Sequence, residues 1–158
     1  MDNDAKKTAL RGISYGLYVI GTKTEGGINA FTANWVTQTS FAPPLVAIGA
    51  KKGTASANEI HNQGVFSVSV LESGQKDLAF AFFKPVSVEG DKLGGYEYAT
   101  HTTGCPVFTD ALSWFECKVV HEYDGGDHVV YLGEVIDAGI HREGKPMTLA
   151  ETGLFYGG

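Results

Sequence analysis

The stretch Asn29–Ile48, NAFTANWVTQTSFAPPLVAI, carries no charged side chain, and no charge occurs anywhere from Ile28 to Ala50. Almost half of those positions are Thr, Ser, Asn, Gln, Gly or Pro. Side chains alternate between the two faces of a strand. Read as one strand over 28–40, the segment puts Phe31, Ala33, Trp35, Thr37 and Thr39 on one face. Thr32, Asn34, Val36, Gln38 and Ser40 fall on the other, a ladder rich in amides and hydroxyls. A ladder facing water would be expected to include a Lys or Glu. Neutral donors and acceptors suit a buried polar ligand or a subunit interface, where an unpaired charge is costly. A Thr-rich exposed face, favoured by β-propensity alone, is the competing reading.

Working outward, SYGLYVIGTK over about 15–24 reads as a strand joined to 28–40 by the TEGG turn. PPLVAIGA reads as a third strand that starts after the prolines. In TASANEIHNQG, Ser56 and Glu59 fit a capping box and Gly64 fits a helix stop, so a short helix is expected over 57–63. VFSVSVLE alternates Phe66, Val68 and Val70 against Ser67 and Ser69, the pattern of a half-buried strand. GQKDLAFAFFK reads as a second short helix ending before Pro85, and 86–103 reads as loop. ALSWFECKVVHEYD and HVVYLGEVIDAGIH are two long strands joined by DGGD, a strong hairpin signal. Six or seven strands with two short helices predict a small closed barrel.

The chain has 158 residues, the size of one ordinary domain, and a mixed composition with 43% apolar residues. Its net charge is -6, and the longest basic runs are the pairs Lys6-Lys7 and Lys51-Lys52. That argues against nucleic-acid binding, which draws its affinity from phosphate neutralisation. No apolar run is long enough to span a membrane, and the N-terminus lacks a signal core. The two cysteines, Cys105 and Cys117, form no C-x-x-C motif. Cys117 alternates with Phe115 and Val119 and reads as a buried reduced thiol, which suits a cytoplasmic protein. His61, His101, His121 and His141 show no metal-ligand spacing, so no metal is expected.

Lys51, Lys52, Gly53, Thr54 and Ser56 sit where a strand gives way to a helix N-terminus. Unpaired N–H groups, the positive end of the helix dipole and two cations make an anion site. The Walker A spacing is absent, and so is a GxGxxG fingerprint. The plain alternative is a capped helix with solvated lysines. A phosphate site next to a neutral hydrogen-bonding strand would suit a ligand with a polar heteroaromatic head and a phosphate tail.

The run NAFTANWVTQTSFAPPLVAI, KKGTASANEI after it, and ALSWFECKVVHEYDGGDHVVYLGEVIDA together resemble the flavin reductase-like family of FMN-binding split barrels, over about 10–156. The blocks Thr32–Pro44 and Gly126–Val135 carry most of that resemblance. The resemblance implies a mainly β, Greek-key-like split β-barrel with two or more short helices, forming a homodimer that binds FMN. It places Asn29, Thr32, Ala33, Asn34 and Trp35 near the isoalloxazine or ribityl chain, with Thr37, Gln38 and Ser40 as second choices. It assigns the phosphate to Thr54 and Ser56 hydroxyls, backbone N–H groups and Lys52, although Ser56 is also the expected helix cap. His128 matches the family's GDH histidine and is the catalytic candidate; a surface histidine beside a turn is the alternative. Lys84 is a candidate for the phosphate or pyrimidine edge, and Phe155 or Tyr156 for covering the flavin from the partner subunit. FAFFKP is bulkier than the small segment typical of relatives, which leaves the nicotinamide side open. The chain stops at Gly158, so any C-terminal lid is expected to be short.

The implied activity is NAD(P)H-dependent hydride transfer to FMN, with free flavin, a ferric complex or a redox protein as acceptor. Such chemistry is carried by the cofactor and needs no nucleophile–base pair from the protein. A tightly bound FMN carrier passing electrons between redox proteins is the second expectation. A barrel that binds another ligand, or only dimerises, is the third.

Overall fold

The computed structural model describes residues 1–158. The polar N-terminus forms a helix that the sequence reading does not anticipate, α1 (Asn3–Arg11). The Asp2 carboxylate accepts hydrogen bonds from the N–H groups of Asp4 at 2.9 Å and Ala5 at 3.2 Å. Those bonds satisfy donors that a helix start otherwise leaves unpaired. α1 buries none of its residues. Its last side chain, Arg11, donates from Nε to the Gly157 carbonyl at 3.3 Å and lies 5.0 Å from the centre of the Phe155 ring.

β1 (Tyr18–Lys23) and β2 (Ile28–Ala33) form the hairpin expected around TEGG. The uncharged run then departs from the reading of a single strand. It breaks at Asn34–Trp35, and β3 (Val36–Phe41) resumes on the far side of the sheet. The break has three anchors. The Asn34 carbonyl accepts from the Val36 N–H at 3.1 Å, and the Trp35 carbonyl accepts from the Gly49 N–H at 3.0 Å. The Asn34 side-chain amide donates to the Tyr156 carbonyl at 3.0 Å. Gly49 packs tightly here: a Cβ on it would stand 3.0 Å from the Trp35 ring, close enough that the ring would have to shift.

The chain continues through β4 (Pro44–Lys51), α2 (Ala55–Gln63), β5 (Val65–Val70) and α3 (Lys76–Ala81). The residues expected to be loop then supply β6 (Val88–Glu89), β7 (Lys92–Leu93) and β8 (Tyr96–Thr100), which with β9 (Pro106–Phe108) make a small four-stranded sheet. β10 (Ser113–Tyr123) and β11 (His128–Ile140) are the long hairpin expected around DGGD. Leu149–Thr152 is a single 3-10 turn before the tail.

The main sheet is antiparallel and seven-stranded, ordered β2-β1-β5-β10-β11-β4-β3. Its two edges, β2 and β3, are linked by Asn34–Trp35 but not hydrogen-bonded to each other, so the barrel is split, as the resemblance implies, rather than closed as the strand count suggested. β5 is also more buried than its alternation implies. Ser67 and Ser69 are fully buried, because Ser67 Oγ donates to the Pro106 carbonyl at 2.6 Å and Ser69 Oγ accepts from the Phe108 N–H at 3.0 Å. The small sheet thus covers the face that would otherwise meet water.

Two apolar clusters result. One joins Leu17, Val19, Leu71, Phe82, Phe108 and Met147 between the main sheet, α3 and the small sheet. The other packs Ile48, Phe66, Val68 and Tyr131 against Ala57 and Ile60 of α2. The Tyr131 hydroxyl donates to the Ala57 carbonyl at 2.8 Å and ties α2 to β11. Cys117 is buried and unpaired, as expected, and so is Cys105. Burial pushes the Cys105 thiol up to about 11 and the Cys117 thiol up to about 12. No helix is long and apolar enough to cross a membrane.

Candidate functional site

A cavity of about 450 Å³ opens where the free edge of β2 meets the end of β4, the start of α2 and the tail after Gly153. That volume falls in the range of small-molecule sites, roughly 300–1,000 Å³. Nine of its fifteen lining residues are apolar, and Lys51 is the only charged one.

The N-terminus of α2 forms the polar end. Thr54, not Ser56, is the cap: its hydroxyl accepts from the Ala57 N–H at 3.2 Å and donates to the Lys51 carbonyl at 2.8 Å. The Asn58 N–H bonds to the Thr54 carbonyl. The first-turn N–H groups of Ala55 and Ser56 have no helical acceptor and are available to an anion. Ser56 is buried, lines the cavity, and accepts from the Asn29 side-chain amide at 3.3 Å. Asn29 therefore stands behind the cavity wall and fixes Ser56.

The end of β4 separates the two lysines, Lys51 being its last residue and Lys52 lying in the turn beyond it. Lys51 lines the cavity. Lys52 is turned to the β10–β11 hairpin, where its ammonium pairs with the Asp124 carboxylate and donates to the Asp124 carbonyl at 3.0 Å.

Thr32, Ala33 and Asn34 line the cavity as the sequence reading places them. The Thr32 hydroxyl donates to the Ala79 carbonyl at 2.5 Å. Thr37, Gln38 and Ser40 do not join them; they lie on β3, with the Gln38 amide donating to the Ser40 carbonyl at 3.0 Å. Lys84 is exposed beyond α3 and does not line the cavity, whereas its neighbours Phe82 and Phe83 do. Phe155 and Tyr156 line it too, contributed by this same chain.

Behind Gly49 is an aromatic group. The Trp35 ring lies 4.6 Å from the His128 ring and 5.3 Å from the Tyr156 ring. His128 Nδ1 is 2.9 Å from the Asp127 carboxylate, and Nε2 is 2.8 Å from the Tyr156 hydroxyl. The hydrogen bond and charge of His128 hold the Asp127 carboxyl below its ordinary range. Burial, with a smaller contribution from the Asp127 charge, raises the Tyr156 phenol. The Trp35 indole N–H is buried and has no acceptor in the protein. Such an orphaned donor is uncommon in a finished site.

The sequence reading put Lys51 at the anion site but gave the charge to Lys52, and it did not assign Phe31, Gly49 or Leu149 to the cavity. Period-two alternation along β4 puts Lys51 on the same face as Gly49, which also lines the cavity. Phe31 was assigned to the face opposite Thr32, but a cavity at a strand edge meets both faces. Phe83 lies in the FAFFKP segment that the sequence reading singled out, and Leu154 precedes Phe155 and Tyr156, but neither was assigned a role.

The sequence and the fold have counterparts among known proteins. Residues 10–158 match the family described as flavin reductase like domain. A ferric-chelate reductase (NAD(P)H) of Archaeoglobus fulgidus is 35% identical over 141 residues, covering 88% of this chain and 83% of its own length. A Rhizobium meliloti protein named "Probable flavin reductase" is 31% identical over 135 residues; the match covers 85% of this chain but 42% of that protein. The solved structure of the Streptomyces globisporus NADH:FAD oxidoreductase SgcE6, in complex with NAD and FAD fragments, superposes with a TM-score of 0.78 at 28% identity. That match covers 91% of this chain and 85% of the other. With a split antiparallel sheet, an apolar cavity at its free edge and a helix N-terminus at the cavity's polar end, this chain belongs to the flavin reductase like family.

Proposed function

We propose that the protein is an NAD(P)H-dependent flavin oxidoreductase whose cavity holds FMN. The observation that carries this reading is the amphiphilic form of the cavity: apolar walls with one end formed by Lys51, Thr54, Ser56 and the free N–H groups of α2. A planar ring fits the apolar part, and a phosphate suits the helix start. A flavin held there would supply the redox chemistry between a reduced nicotinamide and an electron acceptor.

The protein's own contribution is binding and orientation. Lys51 and the α2 N–H groups anchor the anionic end. Thr32, Asn34 and Thr54 hold the cavity wall through their bonds to Ala79, Tyr156 and Lys51. Phe31, Phe83 and Phe155 exclude water. The names of the relatives favour free flavin or a ferric chelate as acceptor.

The unit acts as a single domain and a homodimer. Exposed apolar side chains on β3, β10 and β11, among them Phe41 at 91% and Ile140 at 80% exposure, support a subunit face there. Two free buried thiols suit a reducing cytoplasm.

The experiment is equilibrium titration with FMN and with riboflavin, followed by anaerobic mixing with NADH or NADPH. FMN should bind more tightly than riboflavin, and the visible flavin band should bleach on addition of reduced nicotinamide. Failure to bind FMN overturns the reading. Binding without bleaching converts it to an electron carrier.

A further inference from the structure

The Asp127–His128–Tyr156 chain is more specific than a flavin pocket requires. His128 does not itself line the cavity, but Tyr156 does. The His128 side chain is 13% exposed and both of its ring nitrogens are engaged, Nδ1 by Asp127 and Nε2 by Tyr156. A carboxylate only accepts, so Nδ1 must carry a hydrogen in either protonation state of the ring. The polarity of the other contact is then fixed by charge. Neutral His128 has a lone pair on Nε2 and receives the Tyr156 hydroxyl hydrogen. Cationic His128 donates from Nε2, and the phenol's own hydrogen is released to point elsewhere.

We infer that Tyr156 is a positioning residue through which His128 changes what the protein offers the cavity: a hydroxyl donor when His128 is charged, only oxygen lone pairs when it is neutral. The inference rests on the proposal that the cavity holds a flavin. The edge of an oxidised flavin is rich in carbonyl and ring-nitrogen acceptors, so the donor form binds it better. No proton has to leave the chain; the hydroxyl rotates. Trp35, packed on both rings, restricts other orientations.

Several charged groups surround His128. Asp127 precedes it and is 93% exposed. Lys51 stands opposite it in the β4–β11 register. The Lys52 N–H donates to the Asp127 carbonyl at 3.1 Å, and the Lys52 ammonium is neutralised by Asp124. Tyr156 approaches from the tail. Of these, only Tyr156 and Asp127 hydrogen-bond the ring.

The test combines a ligand-free and a ligand-bound readout. Nitrogen-15 NMR of the full chain across pH should show neutral His128 with its hydrogen on Nδ1. FMN affinity in the wild type should tighten about three- to tenfold on passing below the His128 titration seen in the same spectra, the worth of one hydrogen bond. The step should vanish in Tyr156→Phe. The FMN phosphate has its own ionisation near pH ~6, but this is common to both proteins and cancels in the difference. Asp127→Asn, a substitution at an exposed site, should also flatten the step and covers the case in which Tyr156→Phe does not fold. A neutral His128 protonated on Nε2, or a step that persists in Tyr156→Phe, overturns the inference. If FMN does not bind the wild type, the flavin reading fails, and the Nδ1 or Nε2 tautomer alone still decides how the hydroxyl is held.

Discussion

Lys51 and Lys52 are adjacent in sequence and opposite in role. Lys51 faces the cavity, while the Lys52 ammonium lies 3.0 Å from the Asp124 carbonyl at the tip of the long hairpin. The two substitutions to alanine should therefore separate. Lys51→Ala removes the only cation of the cavity and should weaken FMN roughly tenfold, the scale of one charge-assisted contact, while leaving riboflavin nearly unaffected. Lys52→Ala should weaken FMN less. Paired titrations with FMN and riboflavin measure the difference.

Thr54 caps α2 and lines the site at once. Thr54→Ala should cost about 1 kcal/mol of stability through the lost cap and should also weaken FMN. Thr54→Ser should restore both. Denaturant unfolding followed by flavin titration on the same three proteins checks the linkage.

Glu116 is fully buried in β10, and its carboxylate accepts from the Thr103 N–H at 3.1 Å and from the Thr103 hydroxyl at 2.6 Å. Thr103→Val keeps the shape but removes one donor from a buried acid. It should destabilise the protein by roughly 1–3 kcal/mol, the cost of an unmet buried polar group. Thr103→Ser should be milder. Urea unfolding compares them.

The two buried thiols predict an alkaline limit. Their ordinary value is 9.0, and the fold raises them to about 11 for Cys105 and about 12 for Cys117. Between those values the unfolded chain has lost the thiol protons and the native state has kept them. Stability from this source is complete below pH 9 and falls as pH rises toward 12. Cys105→Ala with Cys117→Ala should flatten that fall. Alkylation of the native protein at pH ~8 should be negligible, because the reactive thiolate is suppressed.

Much of the frame was legible because its signals are local. TEGG and DGGD mark hairpins, Gly64 ends α2 with φ 66°, and alternation over Val65–Val70 marks β5. The features missed depend on distant partners. The uncharged run gives no sign of breaking at Asn34–Trp35, because the bonds to Gly49 and Tyr156 and the packing of Trp35 on His128 come from distant residues. The same break removes Thr37, Gln38 and Ser40 from the ladder that Thr32 and Asn34 begin. Ser56 fits a capping-box pattern, but Thr54, two residues earlier, takes the cap, leaving Ser56 to the cavity. Asp2 was a readable helix cap that drew no attention because the segment it starts buries nothing.

The wall made by Leu154, Phe155 and Tyr156 also sets a timetable. Ribosomes deliver β2, β4 and the start of α2 long before those three residues, and Asn34 meets the Tyr156 carbonyl across 122 positions of chain. A nascent polypeptide therefore assembles the anion end of the cleft first and its aromatic cover last. Capture of a ligand by the complete cleft therefore awaits translation through Tyr156.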